Sequence, residues 1–198
     1  MREVAVLFAR ADSIYKTLPG CDVWDAERDA LKWPGGAPVI AHPPCRAWGG
    51  LSHMAKPREG ERDLALWAVD RVREAGGVLE HPVRSRLWIE KPLPEPGCID
   101  MWGGWTLIVP QYWFGHRAQK MTRLYLVGIR PADIPPIPLV LGTPAFVVGT
   151  SGRRADGIRS GRQREIKKTE REHTPLAMAV WLVEVARRCV TPAIEVAT

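Results

Sequence analysis

The sequence contains few cysteines, and none of them is arranged as a redox or metal motif. The four cysteines, Cys21, Cys45, Cys98 and Cys189, are scattered through 198 residues without a CxxC pair. This spacing argues against a disulfide framework and favours a cytoplasmic protein with reduced thiols. No apolar run is long enough to span a bilayer, and the first apolar stretch is too short for the core of a signal peptide. We therefore expect no membrane partner.

The sequence also lacks an internal repeat and a second segment with an apolar periodicity of its own. Strands are predicted at 4–8, 21–24, 39–41, 78–80, 106–114 and 123–128. Apolar residues recur at helical spacing over 61–75, and Asp12 is a candidate cap for a short helix ending at Leu18. Thr174, followed by Pro175, predicts the start of a last helix.

This alternation of strands and helices predicts an α/β fold, in which helices cover both faces of a mostly parallel sheet. We assign 1–128 to this core and 129–173 to an insertion, first proline-rich and then basic, that forms no independent domain. Residues 174–198 are expected to form a C-terminal helix that packs back on the core.

Acidic residues are in the minority, which favours a polyanionic partner. The formal net charge is +6, and much of the excess lies in the basic segment, residues 151–171. A solvated loop without a ligand and a nucleic-acid contact are both open interpretations of this segment. In the second interpretation, phosphates are contacted by Arg153, Arg154, Arg159, Arg162, Arg164, Lys167 and Lys168.

The most informative motif is the apolar run 39–41 followed by His42-Pro43-Pro44-Cys45. The prolines cannot continue a strand, so the chain must turn where the strand ends. Ligands of open α/β sheets bind at the carboxyl ends of the strands, where Cys45 would be placed as a nucleophile. The alternative is a buried structural thiol.

Polar residues follow the other predicted strands as well. They are Arg10 and Asp12 after the first strand, Asp25 after the second, and Glu80 and His81 at the end of the fourth. Because the carboxyl ends of parallel strands share one edge, these side chains together with Cys45 predict an active site there.

These motifs, in this order, resemble the cytosine carbon-5 DNA methyltransferases. Pro43-Pro44-Cys45 is similar to the family's nucleophile loop, Glu80 to the acid of its Glu-Asn-Val motif, and the stretch from Gln119 through Arg123 to its Gln-x-Arg-x-Arg motif. The chain looks closest to small phage-encoded methyltransferase-like proteins that lack a target-recognition domain. The resemblance implies a Rossmann-like S-adenosylmethionine-dependent methyltransferase fold and a prokaryotic or phage-infected host cell.

The resemblance also implies a reaction. Cys45 would add to carbon 6 of a pyrimidine, and carbon 5 would then attack a methyl donor. Glu80 would protonate ring nitrogen 3, which requires a raised pKa of its carboxyl group. Arg123 would bind the base carbonyl or a phosphate and help to keep Cys45 as thiolate. The base must be flipped out of a duplex or arrive single-stranded.

The donor, S-adenosylmethionine or a related compound, would meet the stretch from Phe8 through Arg10 to Asp12, and Asp25 would bind its ribose. The family's glycines are missing from this stretch. The sequence also has His42 where glycine is usual in the family, His81 in place of the asparagine, and Met121 in place of the first arginine. Arg46 and Gln119 are predicted to contact DNA.

Two alternatives remain open. One is a non-catalytic DNA-binding protein with a degenerate methyltransferase fold, which the missing glycines favour. The other is a zinc enzyme with His42, Cys45, His81 and His116 as ligands. A solvent-exposed or core histidine is the default for each of these, so we assign no metal ligand.

Overall fold

A computed structural model describes residues 2–49, 52, 55–148 and 164–191. Its centre is a six-stranded sheet, which confirms the predicted α/β class. The strands are β1 (Val4–Leu7), β2 (Cys21–Trp24), β3 (Val39–Ala41), β4 (Gly77–Pro82), β5 (Trp105–Pro110) and β6 (Met121–Val127). They lie in the order β2-β1-β3-β4-β6-β5.

The sheet is mostly parallel. Strands β1 to β4 run in one direction, and β6 runs antiparallel to both of its neighbours, β4 and β5. The chain starts at β1 inside the sheet, goes to the edge at β2, and returns to β3 on the other side of β1. This reversal makes a topological switch point between β1 and β3, and open α/β sheets bind ligands outside the carboxyl ends of the strands at such a point.

Helices cover both faces of the sheet. The long helices are α1 (Glu61–Ala75) and α4 (Leu176–Arg188), and the short ones are α2 (Leu87–Glu90) and α3 (Lys168–Glu172). Successive side chains of a strand point to opposite faces, so Val78 packs with the apolar face of α4 and Leu79 packs with that of α1. A two-stranded sheet pairs β7 (Phe146–Val147) with β8 (Arg164–Glu165). Every helix in the described ranges is too short or too polar to cross a lipid bilayer.

Several element boundaries differ from the sequence expectation. The strand predicted over 106–114 ends at Pro110, and the chain continues as a 3-10 helix over Gln111–Phe114. Proline has no N–H to continue a strand ladder, which accounts for this end. Ser13 rather than Asp12 caps the first short helix, Ile14–Thr17, because its hydroxyl accepts from the N–H of Tyr15.

Candidate active site at the carboxyl edge of the sheet

The centre of the site is the carboxylate of Glu80 near the end of β4. Its Oε1 accepts hydrogen bonds from the amide Nε2 of Gln111 at 3.2 Å and from the hydroxyl of Thr122. Its Oε2 lies 3.2 Å from Nδ1 of His42, and the side chains of both residues are 14% exposed. Elements from three parts of the chain thus converge on one carboxylate.

A second contact extends this network into the core. The Nε2 atom of His42 lies 3.1 Å from the hydroxyl of Tyr15, which is 1% exposed. Burial, together with the nearby charge of Glu80, raises the pKa of Tyr15 well above its usual value, so this hydroxyl keeps its proton. Tyr15, His42 and Glu80 therefore form a continuous chain of hydrogen bonds from the core to the carboxyl edge of the sheet.

The charge state of Glu80 differs from the sequence expectation. Burial alone would raise its pKa, but hydrogen bonds from His42 and Thr122 and the charges of Lys120 and His42 outweigh it. They lower the pKa of Glu80 to about 2. The expected raised pKa is therefore wrong for the unliganded protein, because polar groups surround the carboxylate.

The charge of Glu80 affects the pKa values of both Cys45 and Lys120. Cys45 is exposed, and the backbone N–H groups of Trp48 and Gly49 donate to its carbonyl in the turn that follows β3. Desolvation and the charge of Glu80 raise the pKa of the thiol, whereas the charge of Lys120 lowers it. The pKa of Lys120 itself is lowered by burial, against the opposing attraction of Glu80 and Cys45.

Lys120 also has an unusual backbone. Its φ is +29°, a conformation that is uncommon for residues other than glycine. Its carbonyl accepts from the N–H of Gln111 at 3.0 Å, which joins the start of β6 to the 3-10 helix that carries Gln111. Local strain of this kind clusters at functional sites.

Arg123 lies on the opposite face of the sheet from Glu80. It pairs with His81 across β4 and β6, whereas Glu80 pairs with Leu124. Its guanidinium stacks 4.8 Å from the ring of Trp88 and donates to the carbonyl of Pro94 at 2.6 Å. The structure therefore does not bring Arg123 together with Glu80. Because side chains alternate along a strand, Thr122 and not Arg123 shares the face of Glu80.

His81, beside Glu80 in sequence, is a separate feature of this opposite face. It is fully buried, and its ring nitrogens make no hydrogen bond of good geometry among the described residues, although the backbone of Pro44 lies near enough to favour the protonated ring. Burial lowers its pKa to about 4, against the attraction of Glu80. His81 is therefore neutral at physiological pH.

The residues predicted to bind a donor are mostly engaged within the protein. Asp25 is 5% exposed, accepts from the backbone N–H groups of Glu27 and Arg28, and pairs with Lys16 at 2.7 Å. These partners lower the pKa of Asp25, the hydrogen bond from Lys16 most of all.

Arg10 and Asp12 are tied to the segment around α3. Arg10 pairs with Asp12 at 2.9 Å and with Glu172 at 2.6 Å, and His173 lies 3.5 Å from Asp12. Phe8 directly follows β1 with a φ of +60°, so the chain adopts a left-handed turn there without a glycine.

The residues predicted to bind DNA are dispersed. Arg46 is exposed and pairs with the buried Glu61 at 2.6 Å, while Gln119 and Lys167 are exposed. Arg153, Arg154, Arg159 and Arg162, and the side chain of Lys168, lie outside the described residues.

The residues of the zinc alternative do not form a ligand set. The described part of the chain contains no group of three or more His, Cys, Asp or Glu side chains that could hold a metal ion. His116 has a backbone partner instead, since its Nδ1 lies 2.8 Å from the carbonyl oxygen of Ala118.

Comparison of the chain with protein-family models, with curated proteins and with solved structures gives no match.

Four residues of the site were not singled out by the sequence: Tyr15, Gln111, Lys120 and Thr122. Strand alternation along β6 could have found Thr122, because its antiparallel register with β4 decides which residues face Glu80. Tyr15 and Gln111 carried no signal of this kind, since both come from short 3-10 helices whose positions depend on tertiary packing.

Proposed function

We propose that the protein is a cytosine carbon-5 DNA methyltransferase-like enzyme, in which the Cys45 thiolate adds to carbon 6 of a pyrimidine. The observation that carries this proposal is that Cys45 follows β3 and Glu80 lies near the end of the neighbouring parallel strand β4, at the same edge of the sheet, where Lys120 also acts on both groups. A thiol, a carboxyl group and a cation are the groups that such an addition requires.

Each of these groups has a chemical role. When sulfur bonds to carbon 6, electrons move into the ring and charge develops at nitrogen 3, which must receive a proton. Glu80 is the group that passes this proton to nitrogen 3. Lys120 favours the thiolate before the attack, because its positive charge opposes the rise in the pKa of Cys45 that burial and the charge of Glu80 cause. We therefore assign to Lys120 the role that the sequence gave to Arg123.

The topology of the sheet supports a Rossmann-like methyltransferase fold. The strand order has a switch point between β1 and β3, and Cys45 follows β3 directly. Doubly wound sheets place their ligands at such a point. The left-handed backbone of Phe8 turns the chain away directly after β1, where a donor would approach the backbone.

S-adenosylmethionine or a related alkyl donor would need a free Asp25, but the carboxylate of Asp25 is already bound by Lys16 and two backbone N–H groups. The residues present therefore do not fit this donor as they stand. The addition of Cys45 to carbon 6 of the base needs no donor.

DNA is the proposed substrate, either single-stranded or as a duplex from which the base is flipped. The basic segment supports this choice, since arginine and lysine contribute to phosphate binding in a sequence-independent way. Because the proposal includes no domain that reads base edges, we expect the enzyme to have a short or relaxed preference for DNA sequence.

Hydrogen exchange at carbon 5 tests the addition by itself. In D₂O, addition of Cys45 makes carbon 5 nucleophilic, so it takes up a deuteron from solvent. Loss of the original proton from carbon 5 and cleavage of the S–C6 bond then return a labelled pyrimidine. We expect mass spectrometry of nucleosides from a cytosine-containing oligonucleotide to show carbon-5 deuterium, which persists after return to H₂O.

The matched control for this measurement is Cys45→Ser, in which the weaker nucleophile should abolish the exchange. Cys98→Ser, which changes another exposed thiol, should retain it. Absence of exchange with the unmodified protein, on both single-stranded and duplex DNA, would contradict the proposal.

A second candidate function is favoured by the engagement of Asp25 and Arg10 within the protein. It is a non-catalytic DNA-binding protein that retains the base site. Such a protein would bind the oligonucleotide in a filter assay but would leave carbon 5 unlabelled.

A further inference from the structure

The low pKa of Glu80 leaves the proposed reaction without an acid. A carboxyl group with a pKa of about 2 carries no proton at neutral pH, yet nitrogen 3 must receive one when the Cys45 sulfur adds. Either the substrate changes the environment of Glu80 or a neighbouring group supplies the proton. Only a group in direct contact with the carboxylate can do this without a water chain.

We infer that His42 holds the proton of the site and delivers it to ring nitrogen 3 of the pyrimidine through Glu80. Tyr15 holds the imidazole in place in both of its charge states. This inference rests on the proposed function. It assigns to His42 a role that acts through Glu80, so His42 itself does not touch the pyrimidine.

The geometry around His42 carries the inference. Its two ring nitrogens have different partners, since Nδ1 lies 3.2 Å from Glu80 Oε2 and Nε2 lies 3.1 Å from the Tyr15 hydroxyl. Histidine is the side chain that ordinarily changes its charge in the neutral pH range. His42 is therefore placed to hold a proton against the carboxylate that needs it.

Tyr15 is suited to both states of the imidazole. When His42 is protonated, Nε2–H donates to the Tyr15 oxygen, and when His42 has given up its proton, the Tyr15 hydroxyl donates to Nε2. The hydroxyl can reverse its role by rotation, because a hydroxyl is both donor and acceptor. No buried nitrogen is then left without a partner during the transfer, which would be costly.

The proton transfer is balanced. As the S–C6 bond forms, the Nδ1–H of His42 passes its proton to the Glu80 carboxylate, and Glu80 passes a proton to nitrogen 3. The net change is one proton from imidazolium to the ring, and Glu80 is again a carboxylate. Reversal of the addition returns the proton to His42.

The other charged groups near this pair are Lys120, which acts on Glu80 and on Cys45, and Glu172, which acts on Cys45 and on Lys120. Cys21 also raises the pKa of Tyr15. Among the described residues, the hydrogen bonds of His42 go to Glu80 and Tyr15 and to none of these groups. These groups change the electrostatic potential around His42 and Glu80, but they do not supply the transferred proton.

The test is the pH profile of carbon-5 deuterium exchange in the intact protein with a cytosine-containing oligonucleotide. The unmodified protein needs both a thiolate and a protonated imidazole, so its rate should rise and then fall as pH increases. His42→Asn keeps an N–H toward Glu80 but holds no transferable proton. We expect it to lower the rate at neutral pH by roughly 10²-fold and to replace the bell by a rise that continues until Cys45 is ionised.

Three further variants keep the test decisive. In His42→Gly, added imidazole should restore part of the rate, which a purely structural role of His42 would not allow. Tyr15→Phe removes only the hydroxyl and should lower the rate without abolishing the bell. His173→Asn, a matched change of a histidine outside the network, should leave the profile unchanged.

The outcomes separate the two proposals. Exchange by the unmodified protein, with the same rate and profile in His42→Asn and no effect of imidazole on His42→Gly, would overturn the role of His42 and leave the proposed function standing. No exchange in the unmodified protein would remove the proposed function first.

Discussion

At the scale of single residues, the site is defined by opposing effects on one thiol. Desolvation, and then the charge of Glu80, raise the pKa of Cys45, and the charge of Lys120 opposes them, so the reactivity of the sulfur responds to charges from β4 and from the residue before β6. Exposure of the thiol is not sufficient for reactivity, because the thiolate is the nucleophile.

This balance predicts opposite effects of two substitutions. Glu80→Gln should lower the pKa of Cys45 and speed its alkylation by iodoacetamide at pH 7.5, and Lys120→Met should slow it, each by roughly 3- to 10-fold. Mass spectrometry of the Cys45 peptide against pH measures both rates, with the exposed Cys98 as internal reference. Changes in the same direction in both variants would contradict the proposed coupling.

At the scale of the elements, the close pairing of β3 and β4 depends on the absence of a side chain at Gly77. A Cβ at this position would lie 2.0 Å from the carbonyl oxygen of Val39, and its φ of +130° is strained for other residues. Backbone cannot move aside as a flexible side chain can. The strands that carry Cys45 and Glu80 to one edge are therefore held in register by this glycine.

Gly77→Ala should accordingly destabilise the protein by more than the cost of a strained φ. Gly35→Ala is the matched control, since Gly35 also has a positive φ of +91° but an added Cβ would meet nothing within 4 Å. We expect a loss of about 1 kcal/mol for Gly35→Ala and of at least about 3 kcal/mol for Gly77→Ala in urea unfolding. Equal losses would show that the contact with Val39 is not limiting.

At the scale of the whole molecule, two buried groups make stability depend on pH. The pKa of His81 is lowered from 6.5 to about 4, and that of Glu80 from 4.5 to about 2. In both cases the unfolded chain binds protons at a higher pH than the folded protein, so stability is lost as pH falls through these ranges. The His81 contribution is complete above about pH 6.5 and declines toward pH 4, and the Glu80 contribution follows below pH 4.5.

We predict that the free energy of unfolding falls by about 2 kcal/mol between pH 7.5 and pH 5 because of His81 alone. His81→Leu should remove most of this loss, since it replaces a buried imidazole by an apolar side chain that binds no proton. His173→Leu, at a histidine that is partly exposed, is the matched control. Urea unfolding at the two pH values measures the difference, and an undiminished loss in His81→Leu would assign it to other groups.

The sequence by itself determined the α/β class, most of the strand and helix positions, and the meeting of Cys45 and Glu80 at one edge. These follow from local rules, because apolar periodicity defines the elements and parallel strands must end on the same side. Because side chains alternate along a strand, Arg123 and Glu80 lie on opposite faces of the sheet. The register between β4 and β6 decides this arrangement.

Only the tertiary structure decided what surrounds the carboxylate. Gln111 and Lys120 reach Glu80, and Tyr15 reaches its neighbour His42, from segments that are distant in sequence, and no local pattern fixes where a 3-10 helix packs. Hydrogen bonds from His42 and Thr122, with the charges of Lys120 and His42, outweigh desolvation and reverse the expected shift of the Glu80 pKa. A pKa depends on all nearby polar atoms at once, which is why strand position alone could place this group but could not give its charge.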